Sequence, residues 1–350
     1  MNQAVSEGVF PGGVLLAARE EDVLVTAAAG RTSIFDGGKK VTPDTVFDLA
    51  SLTKPFATAL AVMHLVSEDK IDISEPIRGI LEEVCPRDKE EIVWAHLLCH
   101  TSGLPGYRPY FEKLLEIPES RRKPALRSMI LNEPLVHPPG RKTVYSDVGF
   151  LLLQFLLEAI TGKSFPRFIQ EDIYPSVQVS GLFFPSHTDP AAGRLDYAAT
   201  EVCPFRGLLQ GVVHDENAFA IGGAAGHAGL FGTADAVYRL LRKLLAAYLG
   251  LQTIKWLRPE IVAPFFRVPE NTQRTPGFDV PSRIGASCGK YFSKGNTVGH
   301  LGFTGTSFWM DLERKIIVIL LTNRVHPVRE NEKIKKFRPV IHDEIMRRLP

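Results

Sequence analysis

Ser51 and Lys54 have the residue types and the spacing of a nucleophile and its base. They lie where the extended run 46–50 meets a stretch with helical hydrophobic spacing. Positions i and i+3 of a helix share one face, so Lys54 lies one turn above Ser51 and could take its proton. The helix N-terminus would offer backbone N–H groups to a developing oxyanion. Taken alone, the pattern equally fits a helix-capping serine beside a solvated lysine.

Tyr145 is a candidate proton relay. It precedes the apolar run 148–160, and among the eight tyrosines it alone has Asp or Asn at i+2, here Asp147. A phenol beside an ammonium loses its proton more easily, so Tyr145 could pass on the proton taken from Ser51. The structural alternative is that Asp147 caps the helix that begins there.

The segment 300–303, His-Leu-Gly-Phe, could form one wall of such a site. It comes just before a predicted hairpin, and an edge strand beside a cleft could present the Phe303 N–H to an oxyanion. Gly302 would allow the close approach. His-x-Gly also occurs at residues 227–229, so this pattern is weak by itself.

Strands near both ends of the chain and helices between them would have to position these residues. Alternating β-type runs predict hairpins in two places, at 13–29 and at 306–322. Helical spacing of apolar residues predicts four main helices, at 52–66, 148–160, 234–249 and 339–349. Gly162 is expected to end the second of these.

The simplest assembly of these elements is an α/β (α+β) fold. Both ends of the chain would share one antiparallel sheet flanked by helices. Residues 1–71 and 222–350 then form the sheet domain, and residues 72–221 form an inserted, mainly helical subdomain. A cleft between two such parts is a favoured place for a ligand, so the active site is expected there.

Together, the three patterns resemble the serine β-lactamase and penicillin-binding-protein superfamily. The motifs Ser-x-x-Lys, Tyr-x-Asn and Lys-x-Gly of that superfamily have counterparts here in the same order. The branch of class C β-lactamases, D-peptidases and β-lactamase-like esterases is the most similar. Further stretches that look like this branch are residues 47–54, 97–104, 139–149 and 299–305. The similarity covers nearly the whole chain and implies the β-lactamase/transpeptidase-like fold.

The resemblance also implies an acyl-enzyme mechanism on an ester or amide, with no cofactor and no metal. Ser51 would be acylated, and Lys54 with Tyr145 would move protons. The N–H groups of Ser51 and Phe303 would form the oxyanion hole. The residues that would contact the substrate, a small molecule or a peptide, are Asp147, His300, Leu301 and Gly302.

Two positions depart from the family pattern, since Asp147 replaces an Asn and His300 replaces a Lys. A carboxylate only accepts hydrogen bonds and would hold Lys54 protonated, which shifts the base role towards Tyr145. An unperturbed histidine is mostly neutral at pH 7, whereas a lysine is cationic. Both changes favour an esterase or a cell-wall-peptide peptidase or amidase. The alternatives are a class C-type β-lactamase and a penicillin-binding sensor that is acylated but not turned over.

Three nucleophile or metal patterns elsewhere have simpler explanations. Residues 285–289 match the G-x-S-x-G elbow around Ser287, but their polar surroundings predict a loop rather than strand–turn–helix. His96 and His100 have the spacing of zinc enzymes, but the acid of H-E-x-x-H is missing. The segment 214–216 with His227 has no ligand spacing and predicts a polar loop, which could line the cleft.

Composition excludes several classes of protein. Among 350 residues, 41 Lys and Arg balance 39 Asp and Glu, which argues against a nucleic-acid binder. The basic stretch 333–338 has glutamates beside it and predicts a solvated face. The longest apolar run has thirteen residues and cannot span a bilayer. Four scattered cysteines and the absence of a signal-like N-terminus lead us to expect a cytoplasmic protein, or an exported one whose leader has been removed.

Overall fold

The computed structural model describes residues 1–81, 85–185, 195–251 and 254–349. Its strands are β1 (Gly12–Arg19), β2 (Asp22–Gly30), β3 (Phe47–Asp48), β4 (Leu182–Phe183), β5 (Val202–Cys203), β6 (Gly207–Leu208), β7 (Phe231–Gly232), β8 (Thr297–Leu301), β9 (Ser307–Asp311) and β10 (Ile316–Thr322). The largest sheet has the antiparallel order β2-β1-β10-β9-β8. The first two and the last three strands therefore share one sheet, as predicted.

The α-helices are α1 (Asn2–Ser6), α2 (Leu60–Ser67), α3 (Arg78–Leu81), α4 (Trp94–Leu98), α5 (Tyr110–Leu114), α6 (Glu119–Leu131), α7 (Asp147–Thr161), α8 (Phe165–Phe168), α9 (Tyr174–Ser176), α10 (Glu216–Ala220), α11 (Ala234–Tyr248), α12 (Pro259–Phe266) and α13 (Ile334–Arg348). A 3₁₀ turn at Ala50–Leu52 leads into a π-helical turn at Lys54–Ala59, directly before α2. The combination of antiparallel sheet and helices confirms the predicted fold class.

Both faces of the large sheet are covered. Every residue of β10 is buried, and successive side chains point to opposite faces. Ile317 and Ile319 face a large core that includes residues of α2, α7 and α11, whereas Val318 and Leu320 face a smaller core that includes residues of α13. Burial on both faces explains why the sequence of β10 is almost continuously apolar.

Two of the predicted helices differ from the expectation in detail. The helix predicted at 52–66 contains the π-helical turn, in which Pro55 has no N–H to donate to a regular α-helical ladder. The C-terminal helix begins at Ile334, and Pro339 lies inside it rather than at its start. Helix α7 ends as predicted, because Gly162 adopts the left-handed conformation with φ +67°.

Helix α7 positions one side of the site, since it packs against the π-helical turn that carries Lys54. Its N-cap is Ser146, whose hydroxyl accepts the Gly149 N–H at 3.0 Å. Asp147 is therefore the first helical residue and not the cap, so its carboxylate is free to face Lys54. No single helix of the described residues is long and apolar enough to cross a bilayer. Within the same residues, one bent pair of helices, Asp147–Thr161 with Phe165–Ser176, reaches the required length and composition.

Candidate active site

The turn that presents Ser51 is held by the buried carboxylate of Asp48. Its Oδ1 accepts the Ala50 N–H at 2.8 Å, and its Oδ2 accepts the His214 N–H at 2.7 Å. Ala50 has φ +47°, a left-handed conformation that is uncommon for alanine. Burial raises the pKa of Asp48 despite these hydrogen bonds. The side chain of Asp48 thus fixes a strained backbone directly before Ser51.

Lys54 connects Ser51 to the start of α7. Its Nζ lies 3.1 Å from Ser51 Oγ and 2.7 Å from Asp147 Oδ1, and it donates to the His227 carbonyl at 3.3 Å. The Lys54 side chain is fully buried, whereas 22% of the Asp147 side chain is exposed. Burial lowers the pKa of the Lys54 ammonium, but attraction to Asp147 and Tyr145 outweighs it and leaves that pKa above its ordinary value. Lys54 is therefore a cation at neutral pH.

The Tyr145 ring lies among two cations and two imidazoles. Lys54 Nζ is 4.8 Å and the Arg274 guanidinium carbon 4.9 Å from the ring centroid. The His100 ring packs on Tyr145 at 4.5 Å between centroids, and the His300 ring lies at 6.2 Å. Burial, followed by the charges of Arg274 and Lys54, lowers the pKa of His100 well below its usual range. Arg274 was not predicted from the sequence, and His100 was singled out there only for its zinc-like spacing with His96.

His300 is a buried, neutral residue of the edge strand β8. Its Nδ1 lies 2.9 Å from the Leu301 carbonyl, which can only accept, so Nδ1 carries the proton and Nε2 is bare. Burial and the charges of Lys54 and Arg274 lower its pKa well below the usual range. His300 therefore supplies no cation at neutral pH, in agreement with the expectation that a histidine here would be neutral where the family has a cationic lysine.

Phe303 lies in the tight turn between β8 and β9. The Gly302 N–H donates to the Thr306 carbonyl at 2.8 Å, and the Arg324 guanidinium donates to the Phe303 carbonyl at 2.6 and 2.9 Å. Among the described residues, the Phe303 N–H has no hydrogen-bond partner, and Ser51 lies in the first turn of the 3₁₀ segment, where N–H groups have no partner within the helix. Both groups are thus available to an oxyanion, the function expected of them.

One cleft of about 600 Å³ brings these segments together. It is lined by most of the residues predicted from the sequence, which are Ser51, Tyr145, Asp147, His300, Leu301, Gly302 and Phe303. Lys54 is not among the lining residues, but its buried Nζ lies 3.1 Å from Ser51 Oγ. Four arginines that the sequence did not indicate also line the cleft: Arg274, Arg324, Arg329 and Arg338.

Arg338 corrects the prediction of a solvated basic face at 333–338. Lys333, Lys335 and Lys336 are exposed, whereas Arg338 is only 5% exposed; Arg338 lines the cleft, as does Lys335 one turn before it on α13. Its Nη2 donates to the Thr306 carbonyl at 3.4 Å, and its Nε has no partner among the described residues. Burial and the nearby Arg324 charge lower the pKa of Arg338 to about 10, so it remains cationic at neutral pH.

The G-x-S-x-G match and the histidine pair with zinc-like spacing do not form a second active site. Ser287 lies in a loop without a flanking strand or helix, as predicted, and its carbonyl accepts from His342 Nδ1 at 3.0 Å. The Nδ1 of His96 accepts the Val93 N–H at 3.3 Å, and that of His100 accepts the Ser146 N–H at 2.9 Å. Within the described ranges, no group of His, Cys, Asp and Glu side chains is arranged to hold a metal ion.

A serine hydroxyl beside a buried ammonium, with two free N–H groups in reach of the same cleft, is suited to acyl transfer, the chemistry of serine hydrolases. The chain belongs to the β-lactamase family, since the family model described as Beta-lactamase matches residues 1–339. It is a serine hydrolase of that family, and the resemblance seen in the sequence is confirmed.

Two relatives and one solved structure illustrate the similarity. An N-acetylmuramyl-L-alanine amidase of Bacillus subtilis is 31% identical over 93% of this chain and 80% of its own length. A protein of Escherichia coli O157:H7 that carries the name D-alanyl-D-alanine carboxypeptidase is 30% identical over 95% and 83%. The octameric penicillin-binding protein homologue of Pyrococcus abyssi has a TM-score of 0.71 at 20% identity, over 97% of this chain and 75% of that one.

Proposed function

We propose that the protein hydrolyses an amide bond in a small peptide of the cell-wall type that carries a free carboxylate, through an acyl-enzyme on Ser51. The names of the two relatives above, an amidase and a carboxypeptidase, support a peptide substrate. An ester would be attacked by the same chemistry. Nothing in the proposed reaction calls for a cofactor.

The positions of the side chains support a division of roles. Ser51 attacks the carbonyl carbon, and its proton passes to the unit formed by Lys54 and Tyr145, which gives a proton to the amine as the C–N bond breaks. Because Asp147 holds Lys54 in its charged form, the acceptor in this scheme is Tyr145, whose ring lies beside Lys54 and Arg274. The N–H groups of Ser51 and Phe303 bind the oxyanion that forms.

Arg338 is the observation that carries the choice of substrate. A buried arginine without an acidic partner is costly, and it is commonly found where a carboxylate binds. It lines the same cleft as Ser51, so a carboxylate bound there would belong to the molecule that Ser51 attacks. The charge argument from positions 147 and 300 is therefore incomplete, because Asp147 is paired with Lys54 and Arg338 adds a cation to the cleft lining.

A matched pair of substrates tests this proposal: an N-acylated peptide ending in D-alanyl-D-alanine and the same peptide with a C-terminal carboxamide. We expect kcat/KM to favour the free acid by at least tenfold. Arg338→Gln should lower kcat/KM on the acid by about 10- to 150-fold, the value of a charge-assisted hydrogen bond, and leave the amide unchanged. Retained activity on the amide shows that the variant is folded.

Lys336→Gln is the matched control, because Lys336 is an exposed cation on the same helix and does not line the cleft. It should leave both rates as they are. Nitrocefin and p-nitrophenyl esters complete the panel. Equal rates on the acid and the amide, or a preference for nitrocefin or the esters over both peptides, would show that the proposal is wrong.

A further inference from the structure

The two N–H groups assigned to the oxyanion hole belong to distant parts of the chain. Ser51 lies in the 3₁₀ turn that follows β3, whereas Phe303 lies in the turn between β8 and β9. Such donors stabilise an oxyanion when both lie within hydrogen-bond distance of the position that its oxygen will occupy. The spacing of the two turns must therefore be fixed by contacts outside the reacting groups.

Among the described residues, two threonine hydroxyls join these turns. Thr304 Oγ1 donates to the Asp48 carbonyl at 2.7 Å, and Thr306 Oγ1 donates to the Leu49 carbonyl at 3.1 Å. A carbonyl oxygen only accepts, so both hydroxyls act as donors. Asp48 and Leu49 directly precede the 3₁₀ turn that carries the nucleophile. The two hydrogen bonds therefore connect the backbone beside one oxyanion donor to the backbone beside the other.

The turn that carries Phe303 has a fixed shape of its own. The Gly302 N–H donates to the Thr306 carbonyl, and the Gly305 N–H donates to the Gly302 carbonyl at 3.1 Å. Gly305 has φ +106°, a conformation that glycine adopts without steric strain. The Arg324 guanidinium holds the Phe303 carbonyl from the side of β10. Loss of a threonine bridge would therefore displace the Phe303 N–H relative to the nucleophile rather than reshape the turn.

Both bridges are shielded from water. Thr304 is 1% exposed and Thr306 is 0% exposed. Water therefore cannot take the place of a missing hydroxyl, and the carbonyl opposite would be left unpaired. Valine has nearly the shape of threonine but cannot donate a hydrogen bond. A change from threonine to valine thus removes a bridge with little change in side-chain volume.

We propose that Thr304 and Thr306 are positioning residues that set the spacing between the Phe303 and Ser51 N–H groups of the oxyanion hole. The proposal rests on the acyl-enzyme at Ser51, but not on the identity of the peptide. Neither threonine lines the cleft that the described residues form. Their hydroxyls act through the backbone, because they hold the two donors where the negatively charged oxygen of the tetrahedral intermediate will lie.

Two esters that differ in one atom test the proposal: p-nitrophenyl acetate and its thiono analogue, in which sulfur replaces the carbonyl oxygen. Sulfur is a weak hydrogen-bond acceptor, so an intact oxyanion hole favours the oxygen ester. Thr304→Val and Thr306→Val should each lower kcat/KM on the oxygen ester about tenfold. The double variant should lose about 10²-fold, the cost of a misplacement of about 1 Å. The thiono ester should lose much less, so the ratio of the two rate constants should fall.

Two further variants separate this role from a general effect on the fold. Thr304→Ser keeps the hydroxyl and should retain the wild-type ratio. Thr297→Val is the matched control, because Thr297 is also buried and donates to a backbone carbonyl, that of Ser293, at 2.8 Å. It lies at the other end of β8 and does not line the cleft. Thr297→Val should change neither rate.

Three results would overturn the proposal. The first is an equal loss on both esters, and the second is a loss in Thr304→Ser as large as that in Thr304→Val. The third is an unchanged rate on both esters in the double valine variant. Ester hydrolysis that survives in Ser51→Ala would refute the acyl-enzyme together with this proposal. A wild type that hydrolyses the esters but neither peptide would refute the proposed substrate alone.

Discussion

The ion pair of Lys54 and Asp147 makes a quantitative prediction for Asp147→Asn. The substitution keeps the shape of the side chain but leaves a fully buried ammonium without its counter-ion, 2.7 Å away. Breaking a buried ion pair from one side costs about 3–5 kcal/mol of stability. Because 22% of the Asp147 side chain is exposed and Asn can still accept a hydrogen bond, we expect the lower end, about 3 kcal/mol at pH 7.

The loss should depend on pH in a defined direction. In the wild type, the folded-state pKa of Lys54 is raised, so its stabilising contribution is fully present below the unfolded-state pKa of about 10.4. That contribution is lost as the pH rises through the folded-state pKa. In the variant, burial prevails and disfavours the ammonium, a penalty that disappears when Lys54 releases its proton. The stability gap between the two proteins should therefore be largest near neutral pH and narrow above pH 10.

Urea unfolding at pH 7 and pH 10.5 measures this gap. Asp235→Asn is the matched control, because Asp235 is also a first-turn acid of a fifteen-residue helix and pairs with Arg239 at 2.7 Å. Both side chains of that pair are more than half exposed, so its loss should cost less than about 1 kcal/mol. Equal losses in the two variants, or a gap that widens at pH 10.5, would refute the argument from burial.

Two further predictions concern the nucleophile and the oxyanion turn. Ser51→Ala should lower kcat by roughly 10⁴-fold or more and abolish labelling by a fluorophosphonate, whereas Ser287→Ala should change neither. Label found on Ser287 by peptide mass spectrometry would reverse this assignment. Gly302→Ala should lower kcat/KM at least tenfold, because its new methyl group would collide with the Thr306 side chain and the Leu49 carbonyl and shift the Phe303 N–H. Gly79→Ala, in open space on α3, is the control, and a comparable loss there would contradict the steric explanation.

The features that could be predicted from the sequence are those that depend on residues close together along the chain. The hairpins follow from alternation, and the contact of Ser51 with Lys54 follows from a separation of three residues. The ion pair of Lys54 with Asp147 could be predicted only from the family resemblance, because 93 residues separate the two in sequence. The hydrogen bond from the His214 N–H to Asp48 spans 166 residues and has no local signal at all.

Arg338 shows a second limit of sequence analysis. Residues 333–338 have the composition of a solvated helix face. Arg338 is buried only because its position on the helix turns its side chain towards the protein, and composition does not show that direction. The predicted helix began at about Pro339, because it rested on the apolar spacing from Val340 to Met346, so the residues before it were not placed on a helical face. Extending the apolar spacing back to Ile334 would have put Arg338 one turn beyond it, on the buried side.

The order of the strands has a consequence for how the molecule assembles during synthesis. Strand β10, at the centre of the large sheet, pairs with β1 between residues about 300 positions apart, as in Gly13 with Thr322. The N-terminal hairpin must therefore wait, with one long edge unpaired, until nearly the whole chain has left the ribosome. Such distant pairing slows folding, and an open apolar edge invites association with other nascent chains. The folding yield of this protein should therefore depend more on chaperones and expression temperature than its final stability suggests.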